Sequence, residues 1–396
     1  MRKFFYLFLL ILFSCSSSDT TILVTNSGEA QGSYYHIKYM SENGEDYQFQ
    51  IDSILQEVDS SLSIYKDYSL ISKLNKGEYL KTDTLFNEVF LAAQKVFLES
   101  EGNFDCSISP LVKAWGFYKS NLAASLEVDS TKLKKDNLGD SLVVDSAKVK
   151  QAKPRNIFVI DALKIKKDKP KNMLLVDNIK PPKDNSATSF VIDSAKFRSI
   201  LQDIGFQKIK LKGNSLIMPQ NMSLDFNAIA QGFTVDLIAR FLESKDIHNY
   251  LIEVGGELLA KGRNDEGNIW RVGVDKPLEN IDTNERFQFI LDLENKALAT
   301  SGNYRKFYKK DGVKYSHVIS PLTGFPAQNS LLSVTVIHDN CMLADAYATA
   351  FMVMGVAQTK QFVAQHSDIE IYLVYTEKDG NWKTYTSPKM LERIIN

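Results

Sequence analysis

The chain has 396 residues, 44% hydrophobic and 24% charged, enough to bury a large core as one big domain or two smaller ones. Its 47 basic and 48 acidic residues leave a formal charge of −1, so no global field draws it to nucleic acid or to anionic lipid. At the N-terminus, Arg2 and Lys3 precede an apolar run from Phe4 to Phe13, which is too short to span a bilayer and is ordered like a secretory signal. The run ends in LFSC, putting Cys15 where a lipoprotein signal carries its lipidated cysteine. On this reading residues 1–14 are removed, residues 15–27 form a polar tether, and acyl chains on Cys15 hold the protein to a membrane. An ordinary cleaved signal with an incidental cysteine is the alternative.

Further along, YYHIKYM alternates as a strand, and YQFQIDSILQEVDSSLS has helical periodicity ending near Ser61. TLFNEVFLAAQKVFLESEGN is a longer amphipathic helix with Gly102 as its cap. After Phe117 the pattern changes: Asp129, Asp145, Asp161, Asp177 and Asp193 recur every 16 residues, each followed three positions later by Lys132, Lys148, Lys164, Lys180 or Lys196. Ordered solenoid repeats are usually longer and more apolar than this. Residues 118–190 therefore read as an exposed or disordered low-complexity insertion between a first part, 28–117, and a second, 191–396.

Beyond the insertion, FRSILQDIGFQKIKL is a helix ended by Gly205 and followed by a strand. SLDFNAIAQGFTVDLIARFLES begins as strand and turn and becomes helix, and NYLIEVGGELLAKG is strand, Gly-Gly turn, strand. WRVGVDKP, RFQFILDLENKALATSG and SLLSVTVIHDN add strands. The class that follows is α+β, with a mixed or antiparallel sheet core and packed helices. Cys106 and Cys341 could pair in an oxidising compartment, but two separate buried thiols are the favoured reading.

The most telling segment is LADAYATAFMVMG. Asp345 and Thr349 lie four residues apart in this apolar run, so on a helix they share a face and can converge on one cation. Upstream, TSGNYRKFYKKDGVKYSHVISPLTGFPA concentrates polar, aromatic, Gly and Pro residues. Together they point to a metal-assisted site for a phosphorylated ligand.

Taken in order, GSYYHIKY, LSIYKDYSLISKLN, GNFDCSISPLVKAWGF, DFNAIAQGFTVD, VGGELLAKG, TSGNYRKF, YSHVISPLTGFPA and ADAYATAFMVMG closely resemble the FAD:protein FMN transferases, the ApbE-type flavin transferases. The resemblance runs from about Gly28 to about Gly355, the repeats excepted. It implies transfer of FMN from FAD to a Ser or Thr hydroxyl of an exported partner protein, with AMP released and Mg2+ required. It also implies a lipid-anchored, periplasm-facing location on the inner or outer membrane of the cell envelope. A hard cation held by oxygen ligands neutralises a pyrophosphate while leaving positions open for phosphate and water. The resemblance assigns that cation to Asp345, Thr349 and the main-chain carbonyl of Ala228.

The same resemblance assigns ligand contacts to Tyr65, to the loop Asn103, Phe104 and Asp105, to Asp225, and to His317 in SHVISPLTG. Two positions depart from the family pattern: Gln231 stands where Lys is frequent and Gln31 where Met is. Gln231 keeps a hydrogen-bond donor but loses the ammonium. His317 binds ligand first and serves as base second, with Asp105 the competing base. Three other functions compete: hydrolysis of FAD to FMN and AMP, non-catalytic flavin binding, and interaction through the repeats.

Overall fold

The computed structural model describes residues 21–115, 199–277, 286–303, 307–310, 313–316, 318–327, 329–377 and 379–395. Cys15, the insertion 118–190 and His317 lie outside the described residues. In the first part come strands β1 (Ile22–Ala30) and β2 (Ser33–Ser41), then helices α1 (Gln48–Leu62), α2 (Leu70–Asn75), α3 (Thr84–Glu99) and α4 (Ser109–Ala114). The second part opens with β3 (Lys210–Lys212), β4 (Ser215–Ile217), α5 (Ala230–Glu243), β5 (Tyr250–Val254), β6 (Glu257–Lys261), β7 (Trp270–Asp275), β8 (Phe287–Leu293) and β9 (Lys296–Gly302). It closes with β10 (Phe307–Lys310), β11 (Val313–Ser316), β12 (Leu331–His338), α6 (Cys341–Val363), β13 (Glu370–Thr376), β14 (Trp382–Thr386), α7 (Pro388–Arg393) and β15 (Ile394–Ile395).

The central sheet has eight strands in the order β1-β2-β5-β6-β9-β12-β13-β14, and every neighbouring pair is antiparallel. Of the two sheet types the sequence allowed, the structure has the antiparallel one. Side chains that alternate along a strand face opposite sides, and both sides are covered. Ala297 and Ala299 of β9, with Ile371 and Leu373 of β13, turn toward the helices. Leu298, Tyr372 and Val374 turn toward Trp270, Val272 and Leu291 of the small sheet β15-β8-β7.

On the helical side, α6 is the innermost element. Its first turn is capped by Asn340, whose side chain accepts the Leu343 N–H at 2.9 Å. Its apolar character, long enough to cross a membrane by length and composition, has a structural cause: Ala344, Ala346, Tyr347, Ala348 and Phe351 are buried among α3, α5 and the sheet. At Gly355 the helix breaks, with φ 76° and ψ 174°, a conformation glycine adopts without a Cβ penalty.

One expected strand does not form. SLDFNAI is read from sequence as strand and turn, but residues 222–226 carry no strand. The hydrogen bonds a neighbouring strand would make are taken elsewhere. Asn75 donates its side-chain amide to the Leu224 carbonyl and accepts the Leu224 N–H, both at 2.8 Å. The Asp225 N–H goes to the Cys106 carbonyl at 2.8 Å. Meanwhile Leu224 and Phe226 reach the core. Both cysteines are buried free thiols, as favoured.

At the α5–α6 crossing two backbones approach closely. A Cβ on Gly232 would lie 2.4 Å from the Cys341 carbonyl oxygen and 2.9 Å from the Met342 Cα, so two backbones meet where only a hydrogen fits. Gly232→Ala is expected to cost about 3 kcal/mol, the upper end of overpacking penalties. Urea or thermal unfolding measures this; a loss under about 0.5 kcal/mol, as for an ordinary surface change, would show that the helices separate freely.

Candidate active site

Two carboxylates are exchanged between α5 and α6. Asp236, on α5, accepts the Cys341 N–H at 3.0 Å and the Met342 N–H at 2.9 Å, satisfying donors that open α6. Asp345, on α6, accepts the Gly232 N–H in the first turn of α5 at 3.3 Å. Each helix start is thus met by an acid from the other helix, where the dipole favours negative charge. Burial nevertheless dominates both groups: the Asp236 carboxyl is pushed up to about 6, its amide bonds opposing the rise, and that of Asp345 to about 7, opposed by Gly232.

Asp345 and Thr349 lie one turn apart on α6, as their spacing predicts, and Thr349 Oγ1 is 3.3 Å from Ser301 Oγ on β9. One carboxylate and two hydroxyls therefore sit where helix and strand meet. Asp345 is only 6% exposed, and among the described residues no Lys or Arg pairs with it. An acid buried without a cation, one turn from a neutral hydroxyl, is a donor set suited to a hard divalent ion. Ala228 is half-buried in the turn that leads into α5, beside the same helix start. Cys106 lies among the acids: burial raises its thiol first, and the charges of Asp105, Asp225 and Asp345 raise it further.

The aromatic and amide side of the site lies around the same turn. Tyr65 is 69% exposed, yet its hydroxyl accepts from Asn227 Nδ2 at 3.1 Å, so the ring is held by its polar end with its face open for stacking. Asp225 Oδ1 accepts the Asn227 N–H at 2.8 Å, closing the turn before α5. At the second residue of α5, Gln231 lies over the β5–β6 turn, where a Cβ on Gly255 would come within 2.2 Å of Gln231 Nε2. Gln31, left-handed at φ 52° in the β1–β2 turn, donates Nε2 to Thr234 Oγ1 at 2.6 Å. Its buried Oε1 has no partner among the described residues. Gln31 and Gln231 thus gather on the first turns of α5.

Three residues of the loop expected to contact ligand are engaged within the protein. Phe104, expected to contact ligand, is a core side chain at 2% exposure; its ring goes inside because the Ser100 hydroxyl, accepting the Phe104 N–H at 3.0 Å, folds the loop inward. Asp105, weighed as a base, has both oxygens engaged. Oδ1 accepts from the Ser107 amide at 2.7 Å and hydroxyl at 2.6 Å, and Oδ2 from the Phe206 amide at 3.1 Å. Burial raises its carboxyl and those bonds oppose the rise; it joins two loops. Asn103 likewise ties its side-chain amide to the Ser100 carbonyl at 2.8 Å. Ser301, Asn227 and Asp236 were not singled out from sequence, although Ser301 and Asn227 stand inside TSGN and DFNAIAQG.

Residues 31–373 match the model of the ApbE family. The FAD:protein FMN transferase of Vibrio cholerae is 29% identical over 388 residues, covering 96% of this chain and 94% of that protein. That of Haemophilus influenzae is 27% identical over 376 residues, covering 91% and 88%. Among solved structures, the flavin transferase ApbE from Vibrio cholerae superposes with a TM-score of 0.68 at 28% identity, over 94% of this chain and 99% of that one. Flavinyl transferase ApbE from Pseudomonas stutzeri, in its apo form, gives 0.68 at 25% identity, over 94% and 97%.

Because the Asp345 carboxyl moves from 3.8 to about 7 on folding, the folded state binds its proton more tightly than the unfolded chain. Its contribution to stability is full below the unfolded value and is lost as pH rises through the folded one. In divalent-free buffer, melting temperature should therefore fall between roughly pH 5 and pH 8, and Asp345→Asn should flatten that slope. A slope unchanged by the substitution would mean Asp345 is ionised throughout.

Proposed function

The chain belongs to the ApbE family and is an FAD:protein FMN transferase; from that premise we propose that it uses Mg2+ to place FMN on a Ser or Thr hydroxyl of exported redox proteins. It does so anchored through lipid on Cys15, on the periplasm-facing side of the cell envelope. The observation that carries the metal reading is Asp345, buried without a cation one turn from Thr349. In the proposed reaction the acceptor hydroxyl oxygen bonds to the phosphorus of the FMN half of FAD. The bridging P–O bond of the pyrophosphate breaks, AMP departs with that bond's electron pair, and the hydroxyl proton passes to a base.

The residues divide this work. Asp345, Thr349 and the Ala228 carbonyl would hold Mg2+, which when bound supplies charge neutralisation at the pyrophosphate. Tyr65 offers its open ring face to a flavin or adenine ring, and Asn227 keeps that ring in place. Gln231 can donate one hydrogen bond to a phosphate but adds no charge. His317 is the proposed proton acceptor, since both Asp105 oxygens are occupied by loop hydrogen bonds. Gln31, through Thr234, shapes the start of α5.

The test is incubation with FAD, Mg2+ and a partner domain bearing the acceptor hydroxyl, read by in-gel flavin fluorescence and AMP release. Wild type should label the acceptor, and Asp345→Ala should lose about 100-fold or more, the scale of a deleted electrostatic contribution, while its circular dichroism stays native. Absence of labelling where another flavin transferase succeeds would overturn the proposal, and AMP formed at full rate without acceptor would make the enzyme a hydrolase. Gln231→Lys restores an ammonium beside the phosphates and should lower the KM for FAD several-fold with little change in kcat; an unchanged KM would place Gln231 away from the phosphates.

A further inference from the structure

We infer that Ser301 is a positioning residue for Thr349: its hydroxyl takes the Thr349 proton, so that the Thr349 oxygen presents its lone pairs to the metal. The inference rests on the Mg2+ reading above and deepens it. A threonine hydroxyl has one proton and two lone pairs, and inside a helix it ordinarily donates back to the carbonyl four residues earlier. For Thr349 that carbonyl belongs to Asp345, and a proton committed there leaves the direction of the lone pairs to the helix alone. The contact seen is instead with Ser301 Oγ at 3.3 Å, across the β9–α6 junction.

Either oxygen of that pair can be the donor, and a cation settles which. A bound divalent ion repels the Thr349 proton and attracts its lone pairs, so Thr349 must donate and Ser301 must accept. Ser301 is well placed to do this. It is the next-to-last residue of β9 and still pairs with Val334 of β12, so its backbone belongs to the sheet. The preceding residue, Thr300, points to the other face and meets Thr335 Oγ1 at 3.0 Å. That pair offers a control on the same strand that does not touch α6.

The experiment is a Mg2+ titration of the full chain by calorimetry, repeated with Mn2+ by electron paramagnetic resonance, both without FAD. Ser301→Ala should weaken binding about fivefold to tenfold, the scale of one lost hydrogen bond. Ser301→Thr should bind like wild type and Thr300→Val should change nothing. In turnover, Ser301→Ala should raise the KM for Mg2+ while kcat at saturating Mg2+ stays near wild type. Combined with Thr349→Val, it should add no further loss, because one proton path serves both residues. If Ser301→Ala does not fold, Ser301→Cys keeps the volume with a weak acceptor and should show the same weakening. Wild-type affinity in Ser301→Ala and Ser301→Cys, additive losses in the double variant, or an equal loss in Thr300→Val would each overturn the inference. Failure of the Mg2+ reading looks different: wild type itself would bind no Mg2+, or Asp345→Asn would bind it as well as wild type.

Discussion

The site depends on two helices that cap one another. Asp236 of α5 closes the start of α6, and Asp345 of α6 reaches back to the start of α5. Gly232 lets the backbones come close enough for all three bonds to form at once. The arrangement is unequal, and the inequality matters. Asp236 has two backbone donors, whereas Asp345 has one long one. A pair of groups that looks symmetric in topology thus differs in how many backbone donors it holds.

Around that crossing, the antiparallel sheet supplies a fixed floor. β9 carries Ser301 beside Thr349; β6 pairs with its first residues, 296–298, and β12 continues the pairing through Ser301. The aromatic side is held differently. The segment before α5 is irregular because Asn75 and Cys106 take its backbone groups, and this irregular chain turns Asn227 toward Tyr65. A sheet strand therefore carries the hydroxyl beside Thr349, and a clipped loop holds the exposed Tyr65 ring. Both converge on the first turn of α5, where Gln31 and Gln231 also lie.

The legibility of these parts in the sequence was uneven, for physical reasons. Helices α1 and α3, the β5–β6 hairpin and the strands β7, β8, β9 and β12 followed from periodicity, because each buries one face or lies between two cores. Strand character in SLDFNAI was misread, since apolar Leu224 and Phe226 look the same whether a strand or an asparagine side chain satisfies the backbone between them. The placement of the Phe104 ring was equally illegible, because the Ser100 bond that folds the loop inward leaves no mark in the sequence. For Asp105 the family resemblance offered a ligand contact or a base, and the three donors gathered on it, from loops about 100 residues apart, could not be read from the sequence.

What the sequence determined by itself is local and periodic: an α+β chain, a helix presenting Asp345 and Thr349 on one face, and an ordered set of motifs that identifies the family. Four-residue spacing on a helix is a property of the chain alone, so it needed no tertiary information. The tertiary structure decided which neighbours those side chains meet. That Asp345 is buried without a cation, that Ser301 lies under Thr349 from 48 residues away, and that Asp236 caps a helix 105 residues distant are outcomes of two helices crossing over a sheet. Contacts of that range are set by packing geometry and by the competition for buried hydrogen-bond partners, neither of which has a period along the chain.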